Sequence, residues 1–229
     1  MEIEALHISG IIYSEPTTSI TDIILAVISF TLVERMKNFF NESFFNNAWR
    51  LFFFFMGVST GIGAICHGFE LMLPPNVYSF LWGCMNISSS IAVFFALKAT
   101  IRFSRFGDRF ERIFQVSNYL LLFGFICFTV VSNNFEIFKI HAGIALSIIF
   151  LTHLVAYFHS HVGSGSIVIG MLLSFLTVYI HSEQISVNSW FDYKDISHVI
   201  MMFSLIMIYN GIYLMKENLK LSVQRLKTA

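Results

Sequence analysis

The sequence predicts an all-α polytopic membrane protein: one domain over residues 1–229 with seven transmembrane helices, N-terminus outside and C-terminus inside. Three observations predict it. Of the 229 residues 56% are apolar and 12% are charged, and Phe alone numbers 27. That charged share is about half the globular norm, too little to build a hydrophilic shell, so most of the surface must face lipid. Seven apolar stretches of spanning length succeed one another between short polar segments. With the N-terminus outside, all fourteen Lys and Arg except Lys139 and Lys194 fall on inner segments, as the positive-inside rule requires. The formal net charge is zero, with no basic or acidic block, which argues against a nucleic-acid partner.

Taken in order, residues 1–14 form a short amphipathic lead-in without the basic region and cleavage site of a signal peptide, so the first helix is expected to act as its own insertion signal. Glu15-Pro16-Thr17-Thr18-Ser19 then reads as a helix start, with Pro16 in the first turn and Thr or Ser available as a cap. The first span is 18–36. The second, 48–72, is expected to stop at Pro74-Pro75. The third is 77–98, the fourth 113–132 after an arginine-rich loop, and the fifth 141–158. His159 to Gly165 reads as a turn, the sixth span is 166–181, and the seventh, 195–214, runs into a basic tail. Cys66, Cys84 and Cys127 all lie in apolar stretches, at no metal-ligand spacing. The Phe runs read as packing or lipid-facing surface.

Ionisable groups inside a membrane are costly and mark sites unless paired. Placed by depth, they gather toward the outer boundary. Asp22 is early in the first helix, and His67 and Glu70 are late in the second. Asn86 is about two turns into the third, His141 opens the fifth, His181 closes the sixth, and Asp195 and His198 open the seventh. His153 is the main exception, in the inner half. Asp195 and His198 are three apart, on one helical face, where the carboxylate could accept the imidazole N–H. Ser19 shares a face with Asp22, and Thr60 and Gly63 share one with His67. Gly63 removes a side chain one turn below His67, which permits close approach by a backbone or ligand. The competing interpretation is structural: such groups also serve as interhelical glue, and His141 and His181 suit an interfacial position.

At these residues the chain resembles the alkaline ceramidases and, more loosely, the seven-span hydrolases that include the adiponectin-type receptors. The ceramidase first helix opens with Glu-x-x-Asn-Thr-x-Ser-Asn, and Glu15-Pro16-Thr17-Thr18-Ser19-Ile20-Thr21-Asp22 matches it without a gap by chemical type. The resemblance implies zinc ligands at His67 and His198, and a calcium-linked carboxylate at Glu15. It also has departures. Gly63 stands where the family carries Ser, Asn86 is nearest to the family's Asp, and Met202 stands where the family carries a second His of the seventh helix. His141, His181 or Asp22 is then expected to complete a zinc site, since a catalytic zinc takes three protein ligands and a water. The function implied is a metal-dependent hydrolase of a lipid amide or ester, with Asp22, Asn86 and Asp195 as catalytic candidates, embedded as a multi-pass protein in a plasma, inner or endomembrane. The alternative is a seven-helix membrane protein without enzymatic activity that binds a ligand or uses the cluster structurally.

Overall fold

Seven helices carry the chain, each long and apolar enough to cross a membrane. The computed structural model describes residues 5–8, 10–39, 44–132 and 134–228. The lead-in forms an antiparallel hairpin of β1 (Ala5–Ile8) and β2 (Ile11–Ser14), in register Ala5 to Ser14. The helices are α1 (Pro16–Phe39), α2 (Phe44–Phe69), α3 (Pro75–Phe103), α4 (Asp108–Ser132), α5 (Phe135–Phe158), α6 (Ser164–Ser182) and α7 (Tyr193–Thr228). The basic residues Lys220, Arg225 and Lys227 continue α7, with side chains outside those described.

The second helix stops at Phe69, before the expected residue 72, and the two prolines do not end it. Pro75 opens α3, where its missing N–H costs nothing, and Pro74 is the residue that precedes that helix. The turn between them closes on Phe69, whose carbonyl accepts from Met72 and Leu73 N–H, both at 2.9 Å. Of the cysteines, only Cys66 is buried; Cys127 is exposed on α4.

Neighbouring helices pack in the order α1, α2, α3, α5, α6, α7 and back to α1, which closes a ring of six. α4 lies outside that ring, against α3 and α5. Its inner stripe is short: Asn118 donates to the Phe94 carbonyl at 3.1 Å, and Phe125 stacks on His141 at 4.9 Å. The rest of α4 presents Phe114, Leu120, Phe123, Phe128 and Val131 outward, a surface suited to lipid.

Small residues set the tightest contact of the ring. A Cβ on Gly170 would stand 2.7 Å from Ile208 Cγ1, and one on Gly211 2.6 Å from Ile167 Cγ1. The α6 and α7 backbones therefore approach closely, and hydroxyls bridge the seam. Ser204 Oγ donates to the Gly170 carbonyl at 2.8 Å and Ser166 Oγ to the Met207 carbonyl at 2.7 Å. This is how helices associate where lipid removes the hydrophobic drive between them. Beneath it lies a core of Leu25, Met36, Trp49, Phe53, Ile149, Ile167, Leu205 and Ile212. Phe52 and Phe53 are buried while Phe54 is exposed, so the Phe run divides between packing and outward-facing surface.

The hairpin sits over the end of α2. Tyr13 meets Phe69 edge to face at 5.7 Å, and Ser14 Oγ accepts from Leu71 N–H at 3.2 Å. β2 then passes directly into α1, which fixes Glu15 at the rim of the ring.

Candidate functional site

Glu15 has φ of +39°, a left-handed conformation that non-glycine residues rarely adopt. Its carbonyl accepts from Ser19 N–H at 3.0 Å and starts α1. The carboxylate reaches the other way. It accepts from His67 Nδ1 at 2.6 Å and forms an ion pair with Lys194 at the start of α7. Glu15 thus ties three helix ends together, a use of strain expected where surrounding contacts over-determine the backbone. Burial alone would raise the Glu15 carboxyl; the hydrogen bond and charge of His67, with those of Lys194, outweigh it and hold the group at about 2. Glu70, beyond the end of α2, is pushed up by burial and by the Glu15 charge.

Asp22 lies about two turns deeper, buried on α1. A Cβ on Gly63 would stand 2.7 Å from Asp22 Oδ2, so the glycine is what admits the carboxylate. Across from it, His198 Nε2 stands 3.4 Å from Asp22 Oδ1. Nδ1 of that ring lies 2.9 Å from Thr21 Oγ1, which also contacts the Thr18 carbonyl at 2.9 Å and Asp195 Oδ1 at 3.5 Å. Nδ1–H of His67 donates to Glu15, and Nδ1 of His198 pairs with Thr21 Oγ1.

Asp195 does not orient His198 directly, as the spacing suggests; Thr21 stands between them. The carboxylate is held by the helix start. Asp195 Oδ2 accepts from Asp192 N–H at 2.8 Å, and Asp192 Oδ1 accepts from the N–H groups of Lys194 at 2.8 Å and Asp195 at 3.4 Å. That reciprocal pattern is a capping box.

Asp22, His67 and His198 line one cavity of about 510 Å³ inside the six-helix ring, together with Glu15, Glu70 and His181. Its rim is aromatic and charged. Tyr78, Trp82, Phe135 and Tyr193 stand there with Glu136, Lys139 and Lys194. Its far end, built from Phe52, Met56, Val93, Ala96, Ile149 and Ile208 at mid-helix positions, is apolar. Ser59, Thr60, Ser89, Ser174 and Thr177 mark the zone between.

Four candidates are not among its lining residues: Asp195, Ser19, His141 and Asn86. On α5 the cavity stripe is Phe138, Ala142, Leu146 and Ile149. His141 lies on the next face, fully buried against Phe125, and neither nitrogen has a hydrogen-bond partner among the described residues. On α3 the stripe is Trp82, Met85, Ser89, Val93 and Ala96. Asn86 is not among the lining residues; it is fully buried and, among the described residues, has no hydrogen-bond partner. Ser19 is buried and structural. Its hydroxyl donates to the Ala64 carbonyl at 2.8 Å and pairs with Tyr13 OH at 2.7 Å. His181 is on the cavity wall between Phe135 and Tyr193, at 5.1 and 5.0 Å. His153, in the other half, stacks on Phe103 at 4.7 Å.

Among the described residues, no group of three or more His, Cys, Asp and Glu side chains stands close enough together to hold a metal ion. Compared with known families, the chain matches DUF6962 across residues 17–217, most of its length. It belongs to that family, described as one of unknown function. No curated protein and no solved structure matches it. In this DUF6962 member the matched region contains Asp22, His67 and His198 and begins just after Glu15.

Thr21, Lys194 and Trp82 are the site residues that sequence reasoning missed. Thr21 carried a signal, since it neighbours Asp22 and opens the first helix. Lys194 could be read as one of the two exceptions to the inner placement of positive charge.

Proposed function

We propose that this DUF6962 member spans the membrane seven times with its N-terminus outside, and that its cavity is the site of a metal-dependent hydrolase acting on a lipid amide or ester. One observation carries the chemistry. His198 Nε2 and Asp22 Oδ1 face each other at 3.4 Å, and in the tautomer whose Nδ1–H donates to Thr21 both atoms are acceptors. Two acceptors at that distance repel unless a cation or proton lies between them. Ligands about 2.0–2.1 Å from a tetrahedral zinc stand roughly 3.3–3.4 Å apart.

The donor set suits zinc. His67, His198 and Asp22 would hold it through Nε2, Nε2 and a carboxylate oxygen, the two-histidine, one-carboxylate combination that leaves a fourth position open. Glu15 and Thr21 hold the distal nitrogens, as partners behind ligating imidazoles do. The metal would supply a bound water of near-neutral pKa and polarise a carbonyl. The chain's own residues do the rest. The apolar end would receive an acyl chain, the serine and threonine band would meet the polar linkage, and the rim would keep the headgroup near water. The likeness to alkaline ceramidases in Glu15–Asp22, His67 and His198 supports this reading. Calcium near Glu15 gains no support, because that carboxylate is already shared by His67 and Lys194.

A second reading is favoured by the same pair. If His198 Nε2 carries a proton, His198 and Asp22 form a buried ion pair and the cavity binds a ligand without hydrolysing it. Metal analysis of the purified protein, with a lipid-amide hydrolysis assay with and without chelator, separates the two. Stoichiometric zinc and chelator-sensitive hydrolysis support the enzyme; a metal-free, inactive protein supports the ligand-binding reading.

A further inference from the structure

The rim carries more negative than positive charge. Glu15, Glu70 and Glu136 stand there with Lys139 and Lys194, and Asp192 pairs with Lys194 from outside the lining. Both ammonium groups are engaged: Lys139 with Glu136 at 2.5 Å, and Lys194 with Glu15 and with Asp192 at 3.3 Å. Glu70 has no ion-pair partner among the described residues and is half-buried at the cavity edge. Facing the same space across the tight turn at 70–74 are Tyr78 and Trp82, stacked with centroids 5.8 Å apart and planes 19° from parallel. Trp82 in turn meets His67 edge to face at 5.8 Å, so this corner adjoins the polar centre of the cavity.

An unpaired carboxylate beside a wall of two electron-rich rings is the chemistry that recognises an ammonium ion, above all a methylated one that water solvates poorly. We propose that Glu70, Tyr78 and Trp82 form a subsite for a quaternary ammonium group, carried by a choline-type lipid headgroup whose chain enters the apolar end of the cavity. The proposal deepens the lipid-site reading above and rests on that cavity, but not on the metal or on hydrolysis.

Calorimetric titration of the full chain, in a non-ionic sugar detergent at moderate salt, tests it with three probes. These are choline chloride, the uncharged isostere of choline with carbon in place of nitrogen, and dodecyltrimethylammonium. Choline is expected to bind about tenfold or more tighter than its isostere. Glu70→Gln and Trp82→Leu should each remove most of that preference. Glu136→Gln, whose carboxylate already serves Lys139, should keep it. Tighter binding of dodecyltrimethylammonium than of choline assigns the headgroup to a lipid; equal binding overturns the lipid half of the proposal and leaves a free cation as ligand. Equal affinity for choline and isostere, or no saturable binding of either, overturns the subsite. That comparison uses wild-type protein alone, so it decides the matter even if a variant fails to fold. Chelator should leave choline binding unchanged, so a failure of the metal reading and a failure of this one are told apart.

Discussion

Asp22 and Gly63 meet at the contact of α1 with α2, and position 63 has no room for a side chain while the carboxylate is in place. A methyl group at position 63 would overlap Asp22 Oδ2 at 2.7 Å. Gly63→Ala is therefore expected to lower stability by about 1–3 kcal/mol, as overpacking does, and to push the carboxylate away from His198. Thermal unfolding and metal content of the same sample check both effects. Thr21→Val keeps the shape of the side chain but removes the hydroxyl that pairs with His198 Nδ1. Metal affinity should fall roughly 10–100-fold with the fold intact. Asp195→Ala should act differently: it breaks the capping box at the start of α7 and costs about 0.5–2 kcal/mol of stability. Asp22, His67 and His198 line one cavity, and their common depth was legible because depth follows from residue count along a helix. The sequence could not place Thr21 between Asp195 and His198, because spacing along α7 says nothing of which α1 side chain reaches in.

At the scale of the helices, depth was legible and azimuth was not. Helices that are apolar nearly all round carry little periodic signal to say which face points inward. Asn86 and His141 sit at a plausible depth yet are not among the residues that line the cavity, and His141 stacks on Phe125 of α4 instead. The placement of α4 outside the ring has no mark in the sequence beyond its run of large apolar residues. His141→Leu tests the assignment. Both ring nitrogens are buried without partners, and each such group costs about 1–3 kcal/mol, so the variant should be at least as stable as wild type and keep its metal. The α6–α7 seam gives the converse. Gly170→Ala would meet Ile208 Cγ1 at 2.7 Å and the Ser204 carbonyl at 3.1 Å, and should lower the unfolding temperature. Gly143→Ala on α5 meets nothing within 4 Å, and should be neutral or stabilising by about 0.5–1 kcal/mol.

For the whole molecule, six helices close around a cavity that is charged and aromatic at the hairpin end and apolar at mid-helix. Composition announced the helices, and the small-residue seam and hairpin were not legible, since both depend on which elements meet. The proposed orientation puts the hairpin outside. A cysteine placed at His7, exposed on β1, should react with a membrane-impermeant thiol reagent on intact cells; reaction only after permeabilisation would reverse the topology. The central claim is that Asp22, His67 and His198 hold a metal, and elemental analysis of protein purified without chelator tests it most directly. The account predicts about one zinc per chain, lost in His67→Ala, His198→Ala and Asp22→Ala, and kept in His153→Ala, whose ring lies in the other half of the bundle against Phe103. Wild-type protein without stoichiometric metal, and with an unfolding temperature indifferent to added zinc, would contradict it.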